Sequence, residues 1–547
     1  MKKYKKHFLY LVLIFIGIIP AISLFHSGLP ITHDGQDHVA RIANFYQNLS
    51  EGNIIPRWAG NLNWGYGHPI LEFLYPFPSY TASFFHFLGF SLVDSVKIVF
   101  GLGTILSIIF MYLWLSSFLN KFSALFGAVL YTHAPYRFVE VYVRGDIGEH
   151  LAFAFIPLVL FFIYSIYKKK NMNNIFLGGF SLAFLILSHN AISLMLMPFI
   201  IFYGFFLLNL SKNRKSYIIN LTSLMLIGFG LSAFFWIPGL LEGKYTLRNI
   251  VTAGGYIGRF VNFRDLLYGP WSYGISGQFT VQLGILHWAS FILSIILLTK
   301  FYIKKDRKNL VFSLGLIVYT LIAIFLMLPI SSFIWQKFIL LQNFQFPWRF
   351  LAIPVFTTSV LGAVVFEQVF RKSRIWFTVF AIILLLFLSK DYMRPIDYLY
   401  KPENFYTGIY NSTTDTGESS PIWSVRFMEK RALEQIQLID GKASIELVQR
   451  STTKRIYKIN AQKTSRILEN TLYFPGWTVL LDSKPAIVEF QDQRFRGLIT
   501  FYVPEGKHDI EIVYRETKLR LFSNIASTFV LFGILTFYLF KFIKTKF

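Results

Sequence analysis

The chain has 547 residues, 54% of them hydrophobic and only 15% charged, with 61 Phe and 30 Tyr. That composition excludes a water-soluble globular protein of this length, whose surface needs far more charge. The lack of cysteine excludes disulfides and thiolate metal centres. The net charge of +24 is no nucleic-acid footprint, because Lys and Arg fall in short clusters between apolar runs rather than on one basic face.

The apolar runs are about 20 residues long, the length that carries a helix across a hydrocarbon core of about 30 Å. They lack strand-period alternation, so a polytopic α-helical membrane protein is expected, not an outer-membrane barrel. The first run, 7–26, follows a basic start and lacks a small-x-small cleavage site. It reads as a retained helix with its N-terminus in the cytoplasm. Eleven further spans are expected at 93–118, 121–138, 149–167, 174–189, 190–210, 217–240, 281–303, 310–330, 347–370, 374–390 and 521–543. Alternate crossing of about 12 helices puts the basic clusters at 2–6, 168–170, 212–215, 304–308 and 371–374 on the cytoplasmic side, with both termini. The stretch 75–90 reads as a short helix dipping into the outer face.

This topology leaves extracytoplasmic loops at 27–92, 139–148, 242–280 and 331–346, and a long polar segment at 391–520. Alternating stretches within that segment, punctuated by Pro-Gly, Asp-Ser and Glu-Gly turns, predict an extracytoplasmic β-sandwich-like domain before the last helix. The expected organisation is a transmembrane module (1–390), a β-rich domain (391–520), and a C-terminal helix with a short cytoplasmic tail (521–547).

The densest polar cluster lies just after the first span: His33, Asp34, Asp37, His38 and Arg41, followed by Arg57 and Trp58. If residues from 37 onward are helical, Asp37 and Arg41 stand four apart and share a face, with His38 close by. Two carboxylates, two imidazoles and two arginines among aromatics suit a pocket for a charged, ring-bearing ligand. The plainer alternative is a solvated loop with a capping Asp. A second cluster, Arg144, Asp146, Glu149 and His150, falls on the same predicted face. Asp146 and Glu149 begin a span, so they either cap it or form a pair for a metal or an acceptor. His189 sits at a helix junction, where a cap explains it equally well. Arg349 lies among aromatics on the outer face, and with Arg57 and Arg144 it runs against the charge bias of the topology. Phosphate is the anion such arginines suit; anchoring to anionic lipid is the alternative.

The pattern Asp34-x-x-Asp37-His38-x-x-Arg41, Gly52-x-Ile-x-Pro56-Arg57-Trp58, Gly65-Tyr66-Gly67-x-Pro69 and Tyr75-Pro76 resembles bacterial membrane proteins of the YfhO type. It is equally similar to relatives labelled 6-pyruvoyl-tetrahydropterin synthase-related, a label that describes no chemistry visible in this chain. The distal Tyr473-Phe-Pro-Gly-Trp477, Pro504-x-Gly-x-His508 and Tyr514 resemble the outer domain of the YfhO type. These proteins look like GT-C membrane glycosyltransferases, a class with acidic residues in its first outer loop. The resemblance implies transfer of a sugar from a polyprenyl-phosphate donor to a cell-envelope acceptor, whether glycolipid, teichoic acid, polysaccharide or protein. It implies Asp37 as general base, with Asp34 as the alternative. Substrate-binding residues would come from His38, Arg41, Arg57, Arg144, Asp146, Glu149, His150, His189 and Arg349. There is no tidy Asp-x-Asp, so a divalent metal (Mg or Mn) stays an open expectation. No P-loop or dinucleotide fingerprint is present, in keeping with a lipid-linked donor. Two other readings are a transporter or flippase of a polyprenyl-linked or anionic lipid, marked by charges buried mid-span, and a non-catalytic envelope-assembly scaffold.

Overall fold

The computed structural model describes residues 2–274, 278–370 and 374–546, so residues 371–373 of one basic cluster lie outside the described residues. Among the described residues, eight helices are long and apolar enough to cross a membrane, from Leu92–Ser116 to Lys518–Lys544. The other four expected spans take different forms. The first is Lys2–Ile18, continued as a 3-10 segment Ile19–Phe25 with Pro20 in its first turn. Met172–Ser188 is a 17-residue helix. The run at 217–240 bends by 69° between Arg214–Leu231 and Ala233–Leu241, at a point where Ser232 Oγ donates to the Gly228 carbonyl at 2.8 Å. The run at 121–138 is helical only over Lys121–Thr132. Pro135 lacks an N–H and forces the residue before it out of the helical region, and Ala134 accordingly sits at ψ 140°. The chain then passes through short turns at Pro135–Val139 and Glu140–Arg144 before Ile147–Lys168 begins.

The loops at 27–92, 139–148, 242–280 and 331–346 meet at one end of the bundle. His33 N–H donates to Val143 O at 2.9 Å and Asp34 N–H to Arg144 O at 2.8 Å. The described basic clusters at 168–170, 212–215 and 304–308 fall at the opposite helix ends. Helix Phe77–Phe87 leaves Phe84 and Phe87 exposed, with Leu88 exposed just after it, and its 11 residues are too few to cross a hydrocarbon core.

The β-rich region is one antiparallel sheet. Its members are β3 (Ile436–Arg450), β4 (Lys454–Leu472), β5 (Trp477–Leu481), β6 (Lys484–Ala486), β7 (Leu498–Val503) and β8 (Gly506–Tyr514). A separate two-stranded pair, β1 (Leu29–Pro30) and β2 (Tyr398–Leu399), ties the first loop to the chain leaving helix Arg374–Ser389. Strand β4 is long enough to pair β8 through Lys454–Ala461 and β7 through Ser465–Leu472, while β3 lines its other edge. The sandwich-like core thus forms inside a single folded sheet, around Ile459, Ile467, Phe501 and Ile512. Trp58 of the first loop is fully buried in that core, 5.4 Å from Trp477 and 5.5 Å from Tyr514. The first loop therefore belongs structurally to both the helical bundle and the sheet.

Candidate functional site

Helix Gly35–Ser50 starts at Asp34 and carries Asp37, His38 and Arg41 in its first two turns. Two glycines let the second cluster close against it. Gly145 sits at φ +71°, and a side chain there would meet Thr32 Oγ1 at 2.2 Å. A side chain at Gly148 would fall 2.0 Å from the Tyr75 ring, whose hydroxyl donates to Asp146 Oδ1 at 3.0 Å.

The second cluster is a largely buried ion network. Arg144 reaches Glu140 Oε1 at 2.6 Å, Asp146 Oδ2 at 2.9 Å and Glu149 Oε2 at 2.9 Å. Tyr136 donates to Glu149 Oε1 at 2.5 Å. Asp146 also caps its helix, accepting from Glu149 N–H at 2.9 Å, so the plain capping role and a place in the cluster coexist. His189 is a cap too: its Nδ1 accepts from Ile192 N–H at 3.1 Å, which leaves the ring proton on Nε2, 3.8 Å from Asp146 Oδ2.

A cavity of about 1350 Å³ opens beside these residues. Asp34, Asp37, His38, Arg41, Arg144, Asp146, His189 and Arg349 line it, as do Arg248, Arg259, Asp415 and Glu418. Its other wall is apolar, built from Leu194, Met197, Phe229, Trp236, Leu240 and Leu340. Leu194, Leu240 and Leu340 are exposed on the protein surface as well. The cavity thus joins a charged floor to a greasy flank, part of it on the candidate span Asn190–Leu210 and on the bent pair Arg214–Leu231 and Ala233–Leu241. Burial pushes the Asp34 carboxyl up against the opposing pull of Arg144. Burial likewise raises Asp37, against Arg41 and the 3.1 Å hydrogen bond from Tyr410. Burial acts on Asp146 in the same sense, yet Arg144, His189 and Arg349 hold that carboxyl well below the usual range. The environment therefore separates two proton-accepting carboxyls from one that stays ionised.

Three of the residues singled out in the sequence do not line the cavity. Arg57 is buried between the first loop and the last helix, bonded to Glu516 at 2.9 Å and Asn524 at 2.8 Å. His150 packs inside the bundle against Thr104 and the Phe100 carbonyl. Glu149 is fully buried behind Arg144. Asp37 and Arg41 share a face, but Arg41 bonds to Thr414 and His38 instead. The segment around Thr414, Asp415 and Glu418 reads in the sequence as a polar connection. Its only signal is an unbroken run of small polar and acidic residues from Asn411 to Ser420.

Asp146, Glu149 and His189 bring ligand-type atoms within 4.8 Å of one another, a triad that could hold a metal ion, and Arg144 competes with such an ion for the same acids. Each carboxylate oxygen of the two acids already accepts a hydrogen bond from Tyr75, Tyr136, Arg144 or a backbone N–H. The histidine carries its proton on the nitrogen that would have to bind metal. The Arg144 guanidinium supplies the positive charge between these acids.

A family model described as "6-pyruvoyl-tetrahydropterin synthase related domain; membrane protein" matches residues 71–396. The chain belongs to this 6-pyruvoyl-tetrahydropterin synthase-related family of membrane proteins. The family match takes in Arg144, Asp146, His189 and Arg349, while Asp34, Asp37 and the β-sheet lie beyond it. An uncharacterized protein of Lactococcus lactis subsp. cremoris (strain MG1363) is 26% identical over 345 residues, 60% of this chain and 55% of that protein. The crystal structure of the Archaeoglobus fulgidus oligosaccharyltransferase in complex with Zn and sulfate is similar at 15% identity, with a TM-score of 0.40. That match covers 74% of this chain and 58% of the archaeal one. The chain spans a little over half the length of both relatives.

Proposed function

We propose that this protein is a membrane glycosyltransferase that moves a sugar from a polyprenyl-phosphate donor to a cell-envelope acceptor at the loop end of the bundle, on the extracytoplasmic side. One observation carries the reading. Two partly buried carboxyls with raised pKa values, Asp34 and Asp37, face a cavity whose other wall is apolar and borne in part on the candidate span Asn190–Leu210. A lipid-linked sugar needs that combination: a flank for the tail and a polar floor for the reacting centre.

In the proposed reaction, Asp37 takes the proton of an acceptor hydroxyl as that oxygen attacks C1 of the sugar. Such general-base action contributes roughly 10²- to 10⁴-fold. Tyr410 orients the Asp37 carboxyl, and Asp34 is the alternative base. The bond from C1 to the phosphate oxygen breaks, and the leaving phosphate gains charge. Arg349 suits the stabilising role, because its Nε lies a loose 3.4 Å from Glu149 while its side chain reaches the cavity. Arg259, stacked 4.6 Å over Phe346, faces the same space. Arg144 lines the cavity too, but three acids already engage it.

A lipid transporter is the competing reading, and it calls for charges buried mid-span along a path. Arg137 is such a charge, fully buried against Ser107 and the Phe153 ring, but it lines neither described cavity. The test is sugar transfer by the purified protein from polyprenyl-phosphate sugars to cell-envelope acceptor. Transfer supports the enzyme. Lipid translocation without transfer from any donor tried overturns it.

A further inference from the structure

The geometry points to Thr414 and Arg41 as positioning residues that fix His38 as an uncharged Nε2–H donor facing the cavity. The inference rests on the reading of that cavity as the reaction site. An arginine only donates, so Arg41 Nη1, 3.1 Å from His38 Nδ1, must give its proton to that nitrogen. The ring of a neutral His38 then carries its own proton on Nε2. His38 lines the cavity, and Nε2 has no hydrogen-bond partner among the described residues.

Arg41 is held in turn by Thr414. Its Nε donates to Thr414 Oγ1 at 2.9 Å and its Nη2 to the Thr414 carbonyl. Thr414 is almost fully buried and sits at φ +65°, a conformation that a β-branched residue adopts only when its surroundings over-determine it. The surroundings do so. Thr414 N–H donates to Ser412 Oγ at 2.9 Å, and the Asp415 carboxylate accepts from Gly417 and Ser419 N–H at 2.9 and 3.0 Å. The strained residue thereby turns both its carbonyl and its hydroxyl to one guanidinium.

This arrangement divides the labour at the site. Asp37 takes a proton, whereas His38 offers an uncharged N–H to an oxygen of the bound molecule. Both a sugar hydroxyl and a phosphate oxygen answer that chemistry.

The test is 15N spectroscopy of histidine-labelled full-length protein in lipid at neutral pH, with the His38 signals assigned by their loss in His38→Gln. The expected spectrum shows unprotonated Nδ1 and protonated Nε2. Thr414→Val, which removes the hydroxyl but keeps the shape, is expected to mix the tautomers and to lower kcat for sugar transfer about tenfold with a smaller change in KM. Thr414→Ser should restore both. An Nδ1–H or imidazolium signature for His38 in the wild type overturns the inference, even if Thr414→Val fails to fold. Absence of sugar transfer from every donor would overturn the proposed function instead, and the wild-type spectrum would still decide the tautomer.

Discussion

Arg144 places Nη2 2.9 Å from Asp146 Oδ2, and that contact is the hub of the site. It joins the chain entering helix Ile147–Lys168 to a guanidinium that also reaches Glu140 and Glu149, both fully buried. Removing the cation would strand buried carboxylates. Arg144→Gln is therefore expected to destabilise the protein by about 3–5 kcal/mol, seen as a lowered Tm in detergent. An unchanged Tm would mean that the network is solvated or rearranged.

The same network predicts indifference to divalent metal. Mn2+ titrated onto the purified protein should leave its Tm and the electron paramagnetic resonance signal of the free ion unchanged. One Mn2+ held per chain, and lost in Asp146→Asn, would contradict the reading of Arg144 as the resident cation.

Glu72 gives a pH signature away from the cavity. Arg520 bonds both Glu72 and Glu242 at the base of the last helix. Burial, with Glu242 adding to it, raises Glu72 from 4.5 to about 8, against the pull of Arg520. The folded protein thus holds a proton that the unfolded chain releases. Stability should fall as pH rises through the window from 4.5 to about 8 and then level off. Glu72→Gln is expected to flatten that slope in thermal melts, and a slope unchanged by the substitution would place the titrating group elsewhere.

Arg57 serves as a control for the site, since it clamps the first loop to Glu516 and Asn524 without touching the cavity. With Glu516 partly exposed, Arg57→Ala should cost about 2 kcal/mol of stability. The folded fraction should keep the KM of the wild type for a polyprenyl-phosphate sugar. A raised KM with normal stability would return Arg57 to the binding site.

What was legible in the sequence followed from local rules. Span length and hydropathy are properties of consecutive residues, so every expected span has a helix in the structure. Charged residues beside span ends had to lie at the bundle's end, which is how Asp34, Asp37, Arg144 and Asp146 could be gathered. Long-range partners were not legible: nothing near Arg57 announces Glu516, 459 residues away. His150 follows Glu149 directly, but one residue turns a helix by about 100°, and that turn carries the ring into the bundle. Strand alternation marks β-strands without stating which edges pair, so the single folded sheet emerged only in three dimensions. Thr414 carries no sequence signal for its positive φ, because a strained threonine looks like any other.

Transfer of radiolabelled sugar from a synthetic polyprenyl-phosphate sugar to cell-envelope acceptor, measured for wild type, Asp37→Asn and Asp34→Asn, separates a working base at Asp37 from an idle one. Wild type is expected to transfer sugar, and Asp37→Asn to lose roughly 10²-fold or more of that rate, with an unchanged Tm. Equal transfer by wild type and both variants, or none by any of them with several donors, would contradict that expectation.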